Sequence, residues 1–162
     1  MPVDPQGAPA RTAMLEYFAE LDARFPEGFD AGDTLDADAD SFREPNGRFV
    51  VAMSGEAIAG CGGLQLLEPT VAEIKRMWVS PQHRGQGLGG RLLAHLEARA
   101  RALGADRVRL DTNSVLTEAI NMYTSRGYVD IDAYNDNPFA KRWFEKSLPT
   151  DSPGEAPDGE TL

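Results

Sequence analysis

Apolar positions along the chain recur with two periods, and the switches between them predict an order of elements. Met14, Phe18, Leu21 and Phe25 stand at helical spacing, with Thr12 as candidate N-cap and Pro26 ending the pattern. Arg48 to Met53 reads as a strand that turns at Ser54-Gly55 into a second, Ala57 to Leu67, and Val71 to Val79 makes a third. Inside the second, Gly60 to Gly63 predicts a bulge or a close backbone approach. Leu88, Leu92, Leu93, Leu96, Ala100 and Leu103 form a stripe of period 3.6, stopped by Gly104 where a helix C-cap glycine belongs. Val108 and Leu110 alternate with Arg107, Arg109 and Asp111 as a strand. Leu116, Ala119, Ile120 and Tyr123 return to helical spacing and Gly127 closes that helix. Tyr128 to Tyr134 and Phe139 to Leu148 read as two more strands, joined by a loop carrying Asn135-Asp136-Asn137-Pro138.

A run of strands followed by one strand-helix-strand crossover predicts a mixed α/β sheet, not a uniformly doubly wound one. With 162 residues the chain is expected to hold one core. The expected organisation is a flexible lead at 1–10, a domain over 11–148, and a disordered acidic tail at 149–162, with Pro and Gly marking both ends. A composition of 41% hydrophobic and 26% charged residues is that of a soluble globular protein. No apolar run approaches the ~20 residues of a membrane span, so a cytoplasmic protein is expected. The single cysteine, Cys61, excludes an internal disulfide and offers no repeated ligand spacing, so no metal is expected. Asp36-x-Asp38-x-Asp40 starts like a calcium loop, but Ser41 and Gly47 stand where the loop's glycine and bidentate glutamate belong.

Charge is distributed unevenly. The net of −10 gathers in residues 27 to 44, with seven acids against one arginine, and in four acids of the tail, while Lys75 to Arg109 holds eight basic residues and two acids. That polarity points to an anionic ligand held centrally and a cationic one met near the acidic stretch. The acidic total and the lack of interleaved basic and aromatic residues argue against nucleic acid.

Arg84-Gly85-Gln86-Gly87-Leu88-Gly89-Gly90 is the most informative segment. Its glycines admit a ligand close to the backbone, and the helix that begins there presents unpaired N–H groups and its positive dipole end, as a phosphate cradle requires. Gly85, Gly87 and Gly90 also satisfy G-x-G-x-x-G, with Asp111 ending the next strand, as in a Rossmann dinucleotide site. Against that reading, Ser80 to Arg84 intervenes between strand and first glycine, and a second nucleotide half is missing. A Walker loop fails because no Gly-Lys-Ser/Thr follows.

Glu73-Ile74-Lys75-Arg76-Met77-Trp78-Val79-Ser80-Pro81 followed by Arg84-Gly85-Gln86-Gly87-Leu88-Gly89 resembles the acetyl-CoA-binding core of the GNAT acyltransferase superfamily, whose signature is Gln/Arg-x-x-Gly-x-Gly/Ala. The resemblance runs on through Ala119, Tyr123 and Gly127-Tyr128 and covers roughly residues 48 to 148. It implies a mostly antiparallel sheet of six or seven strands with about four helices, opened as a V near Val79 where acetyl-CoA enters. It also implies acetyl transfer to an amine by direct attack in a ternary complex.

The resemblance further places Glu73 as general base, acting directly or through water, and Tyr123 as the acid near the CoA sulfur. A phenol of pKa ~10 protonates a thiolate of pKa ~8.5 only slightly uphill. Backbone N–H groups of Met77, Trp78 and Val79 would bind the pantetheine arm and polarise the acyl carbonyl, and Arg84, Gly85, Gln86, Gly87, Leu88, Gly89 and Gly90 would cradle the diphosphate. Many relatives carry asparagine where this chain has Leu116, which leaves Asn113 or Asn121 as substitute cofactor contacts. The first helix, the acidic stretch and the loop around Tyr134 to Pro138 would select the acceptor, with a cationic small molecule or a lysine or N-terminal amine as candidates. His83 beside the turn, His95 on its helix and Cys61 are expected in solvated, capping or inert buried roles. The alternatives are a non-catalytic acyl-CoA-binding regulatory module and the dinucleotide binder, and monomer or homodimer remain open.

Overall fold

The structure is a computed structural model, and the residues it describes are 2–5, 7–25, 42–43, 45–113, 116–135, 137 and 140–149. Seven strands form one sheet: β1 (Pro2–Val3), β2 (Gly47–Ser54), β3 (Ala57–Glu68), β4 (Val71–Val79), β5 (Arg107–Thr112), β6 (Val129–Ile131) and β7 (Arg142–Ser147). Their spatial order is β1-β2-β3-β4-β5-β7-β6. Only β4 and β5 run parallel, joined by a helical crossover, as parallel neighbours require. One parallel pair in an otherwise antiparallel sheet removes the doubly wound dinucleotide fold.

Three α-helices are present among the described residues where about four were expected: α1 (Ala8–Arg24), α2 (Leu88–Ala102) and α3 (Thr117–Ser125), with a 3-10 turn at Pro81–His83. The acidic stretch, including Asp36 to Asp40, lies outside the described residues apart from Phe42 and Arg43. Both α2 and α3 end on a glycine of positive φ, Gly104 (98°) and Gly127 (96°). The backbone N–H of Ala105 donates to Ala100 O, and that of Tyr128 to Tyr123 O, closing each last turn. At the other end of the chain the expectation needs correcting. α1 starts at Ala8 with Gly7 as N-cap, not at Thr12, and Pro9 sits in the first turn, where its missing N–H costs no helical bond. Pro2–Val3, in the segment expected as a flexible lead, pairs with Phe49–Val50 at the sheet edge. Pairing to a sheet edge here overrides the local proline-rich composition. The last strands are shorter than predicted, since β6 stops at Ile131 and β7 begins at Arg142.

The sheet divides two cores. α2 and α3 cover one face, where Leu64, Ile74, Leu92, Leu93, Leu96, Leu110 and Phe144 are almost wholly buried. α1 covers part of the other, over Met14, Phe18, Phe42, Phe49 and Trp78. Each such side chain gains about 1.5–3 kcal/mol from burial. The predicted close approach at Gly60 to Gly63 is real. A Cβ at Gly60 would stand 2.6 Å from Trp78 O, and one at Gly63 2.8 Å from the Phe42 ring.

Two irregularities of β4 open and shape the cleft at the centre of the sheet. β4 pairs β5 only through Val71–Glu73 against Arg107–Arg109, and beyond Glu73 the two strands part. Just past that point β4 carries a bulge: Gly63 opposes Lys75 and Cys61 opposes Trp78, so Arg76 and Met77 of β4 together face Gly62 alone on β3. The kink is at Arg76, whose φ of 61° is the one positive value at a non-glycine among the described residues.

Candidate active site

Where β4 and β5 part, two cavities open, of about 320 and 340 Å³. They share a wall that includes Tyr17, Leu21, Met77, Leu116 and Tyr123.

The first cavity is bounded by the glycine-rich turn. Gly85 and Gly87 sit at φ 80° and 77°, a left-handed conformation that a side chain resists, and Gly87 is the N-cap of α2. No side chain caps that helix, so its first N–H groups face the cavity mouth. Of the residues expected to hold the cofactor, Met77, Trp78, Val79, Arg84, Gly85, Gly87, Leu88, Gly89 and Gly90 line this cavity. Gln86 is exposed and does not line it. Asn113 lines the second cavity instead, and Asn121 is exposed and lines neither. At the position of the missing asparagine, Leu116 contributes an apolar side to both.

Charges from three elements meet across the first cavity. Arg84 Nη2 donates to both Glu20 oxygens at 2.6 Å, and its Nε donates to Val79 O at 3.0 Å. Trp78 Nε1 donates to Glu20 Oε1 at 3.0 Å, and Arg24 Nη1 to Glu20 Oε2 at 3.2 Å. Arg24 also grips Glu118 on α3 with two bonds, 2.5 and 3.1 Å. Burial works against the Glu20 anion, but the donors from Arg84, Trp78 and Arg24 outweigh it and hold its pKa below the usual value. Arg24 likewise pulls Glu118 down to about 2. Arg126 adds a further cation to this wall, its guanidinium lying where a Cβ on Gly90 would go.

Tyr123 is 5% exposed, packs edge-on against Tyr128 and lines both cavities. Burial pushes its pKa far up, so the phenol stays protonated and is a neutral donor. Tyr17, on the facing helix, has its pKa raised for the same reason. Glu73 lies elsewhere. It is 3% exposed and lines neither cavity, with Oε1 accepting from Gln65 Nε2 and Oε2 from the Tyr134 hydroxyl, both at 2.6 Å. Cys61 is buried, donates to Arg76 O, and burial pushes its thiol up to about 12, which fits an inert role. His83 bonds Ser80 through Nδ1 at 2.7 Å on the cavity rim. His95 is buried beside Arg48, not solvated.

Tyr17, Glu20, Arg24 and Arg126 also line the cavities without having stood out in the sequence, and Lys75 and Asp111, noted there only within the strand motif and the dinucleotide fingerprint, line the second. One signal was available for α1: Tyr17, Glu20, Leu21 and Arg24 have the i, i+3, i+4, i+7 spacing of a single helix face, next to the buried one.

A splayed strand pair beside an uncapped, glycine-led helix defines a site for an extended ligand with an anionic end, and comparison with known proteins identifies the class. The profile of the acetyltransferase (GNAT) family matches residues 14–128, and the chain belongs to that family. It is an acyltransferase. The chain is 32% identical over 145 residues to the IAA acetyltransferase of Azospirillum brasilense, covering 87% of this chain and 94% of that one. Among solved structures it is similar to a putative acyl-CoA N-acyltransferase of Klebsiella pneumoniae, with TM-score 0.72, 28% identity, and 91% and 95% of the two chains covered. It shares its fold with a GNAT family acetyltransferase of Elizabethkingia anophelis solved with acetyl-CoA bound, at TM-score 0.54 and 21% identity, over 64% of this chain and 77% of that one.

Proposed function

We propose that the chain transfers an acetyl group from acetyl-CoA to a primary amine by direct attack in a ternary complex. The observation that carries this reading is the pair of cavities joined at the β4–β5 split, one walled by a phosphate cradle and one not, with Tyr123 between them. The cofactor's diphosphate would rest on the N–H groups around Gly87–Gly90 with Arg84 beside it, and its pantetheine arm would pair with the β4 edge that β5 leaves free. The thioester then reaches Met77 to Val79, where backbone N–H groups stabilise the oxyanion.

The amine enters from the second cavity as a free base and forms the new N–C bond while the C–S bond breaks. Tyr123 donates a hydrogen bond to the departing sulfur and passes it the proton as the thiolate forms, a transfer that its raised pKa makes more uphill than from a free phenol. Glu73 takes the amine's proton at one remove, through water or the Tyr134 hydroxyl, because Gln65 and Tyr134 close its carboxylate off from both cavities. Loss of a base acting this way in Glu73→Gln is expected to lower kcat about tenfold to a hundredfold with binding of acetyl-CoA retained. A kcat within twofold of wild type removes Glu73 from the mechanism.

The decisive experiment compares thermal stabilisation by acetyl-CoA, CoA and NAD at matched concentrations, since a ligand of the native state raises stability by mass action. Acetyl-CoA is expected to raise Tm in the wild-type chain and in Glu73→Gln, and to have no effect in Gly87→Glu, whose carboxylate would occupy the cradle. Absence of a shift with either CoA species overturns the reading, and a shift with NAD alone revives the dinucleotide alternative.

A further inference from the structure

Arginine fills thirteen of the sixteen basic positions of the chain, and only Lys75, Lys141 and Lys146 carry a primary amine on a side chain. The difference is chemical. A guanidinium stays protonated and takes no acyl group at neutral pH, whereas a lysine amine does once it has lost a proton. Where the three lysines stand therefore decides what an acetyl donor could modify in this chain. Lys141 is exposed and lines neither cavity of the β4–β5 split, and Lys146 donates to Glu97 at 3.1 and 3.3 Å. Lys75 lines the second cavity.

In a regular strand Lys75 and Arg76 would point to opposite faces of the sheet. The bulge prevents that. Lys75 lies opposite Gly63, whose missing Cβ faces the Phe42 ring, and directly opposed residues share a face, so Lys75 projects to the α1 side. Arg76, held at φ 61°, turns to the same side, where its guanidinium is engaged 5.1 Å from the Phe18 ring centre and 5.8 Å from that of Phe42. Arg76 is thus taken up by the aromatic core, while Lys75 is half-buried at the cavity wall. Among the described residues its ammonium has no ion-pair or hydrogen-bond partner. Asp111, the carboxylate of the opposite wall, is held instead by Asn135 Nδ2 at 2.7 Å and Asn137 Nδ2 at 3.3 Å. Met77 stands two residues further along β4, ~7 Å at the rise of a strand, which a flexible four-carbon stem spans.

Resting on the reading of the split as an acetyl-transfer site, we propose that Lys75 is an acetyl acceptor in its own cavity, so that the chain modifies itself when no other amine is present. The deprotonated Nζ attacks the thioester carbon, and the N–C bond forms as the C–S bond breaks. The nitrogen's extra proton passes to water, and CoA leaves as the thiol with a proton from Tyr123, which solvent restores. The product is an uncharged amide, longer than lysine, lodged in the space that an acceptor needs.

The full chain is incubated with acetyl-CoA and no added amine. Acetylation of each lysine is followed by peptide mass spectrometry, with Tm read on the same samples. Lys75 is expected to be acetylated about tenfold or more faster than Lys141, at a rate per chain independent of protein concentration, as for a reaction within one molecule. The preference is expected to vanish in Gly87→Glu and in the chain unfolded by urea. Acetic anhydride, which needs no cofactor seat, is expected to modify Lys75 no faster than the exposed Lys141. Equal rates at the two lysines with acetyl-CoA, a rate per chain that rises with protein concentration, a preference that survives in Gly87→Glu or in urea, or the same preference with acetic anhydride overturns the proposal. The two readings fail separately. A chain that acetyl-CoA stabilises without modifying Lys75 refutes self-acetylation and leaves the transfer reading standing, whereas a chain that it neither stabilises nor modifies refutes both.

Discussion

The two cavities share a wall but are built by different means. The first takes its cradle from backbone, with two glycines at positive φ, an uncapped helix start and a strand edge that β5 leaves free, while side chains of α1 and α3 complete its lining. The second depends on side chains that arrive from α1, β4, β5, α3 and the segment before β7. A backbone site has few chemical solutions and has to be glycine-rich. A side-chain site is set by the bulge and the splay, and the same geometry would hold other residues as well.

The wall between the cavities offers the largest test of that contrast. Tyr123→Phe removes a proton donor from both while leaving the ring packed against Tyr128 and Phe144. Its kcat is expected to fall about a hundredfold or more, the scale of a lost general acid, with KM for acetyl-CoA little changed. Burial keeps the phenol protonated, so the wild-type pH profile is expected to have no falling limb from this residue below pH 10. Stopped assays from pH 6 to 10 on both chains check this, and a kcat within twofold of wild type would make Tyr123 a packing residue.

The same contrast explains which features the sequence disclosed. The element order, both glycine-terminated helices and the cradle from Arg84 to Gly90 were legible because each is decided within a few neighbouring residues. The edge strand Pro2–Val3 was not, since its pairing with Phe49–Val50 spans more than forty residues and its local composition argues for a loose end. Nor was the pairing of Lys75 with Arg76 on one face. Strict alternation separates them, and only the two residues set against one in the β3–β4 register bring them together. Glu73 shows the converse. Its place on the strand was read correctly, while its enclosure by Gln65 and Tyr134 depends on a loop sixty residues away.

A smaller effect is expected at Arg84, where the side-chain and backbone parts of the first cavity meet. Glu20 occupies the guanidinium that the diphosphate approaches on the proposed reading, which would set carboxylate and cofactor in competition for it. Arg84→Met is expected to raise KM for acetyl-CoA about tenfold, the scale of one charged hydrogen bond. Glu20→Gln is expected to lower it a few-fold, by about 0.5–1 kcal/mol, because the competing charge is gone and the scaffold bonds to Trp78 can persist. Opposite signs from two partners of one ion pair distinguish competition from structural support. If both variants weaken acetyl-CoA alike, Glu20 positions Arg84 and does not compete with the ligand.

The smallest effect belongs to the outer pair of this network. Glu118 is pulled from an ordinary value near 4.5 to about 2, chiefly by its bonds from Arg24. A carboxylate whose pKa is lower in the folded state adds stability above its unfolded pKa and loses it as pH falls through the folded value. The contribution is therefore present at pH 5 and above and is lost between about 4.5 and 2. With the Glu118 side chain 49% exposed, solvent screening limits the pair to about 0–1 kcal/mol. Wild type is expected to melt slightly above Glu118→Gln at pH 6, with the gap closing toward pH 2.5 and also narrowing in 1 M salt, where the screening length falls to about 3 Å. A gap that survives both acid and salt would mean that Glu118 acts through packing.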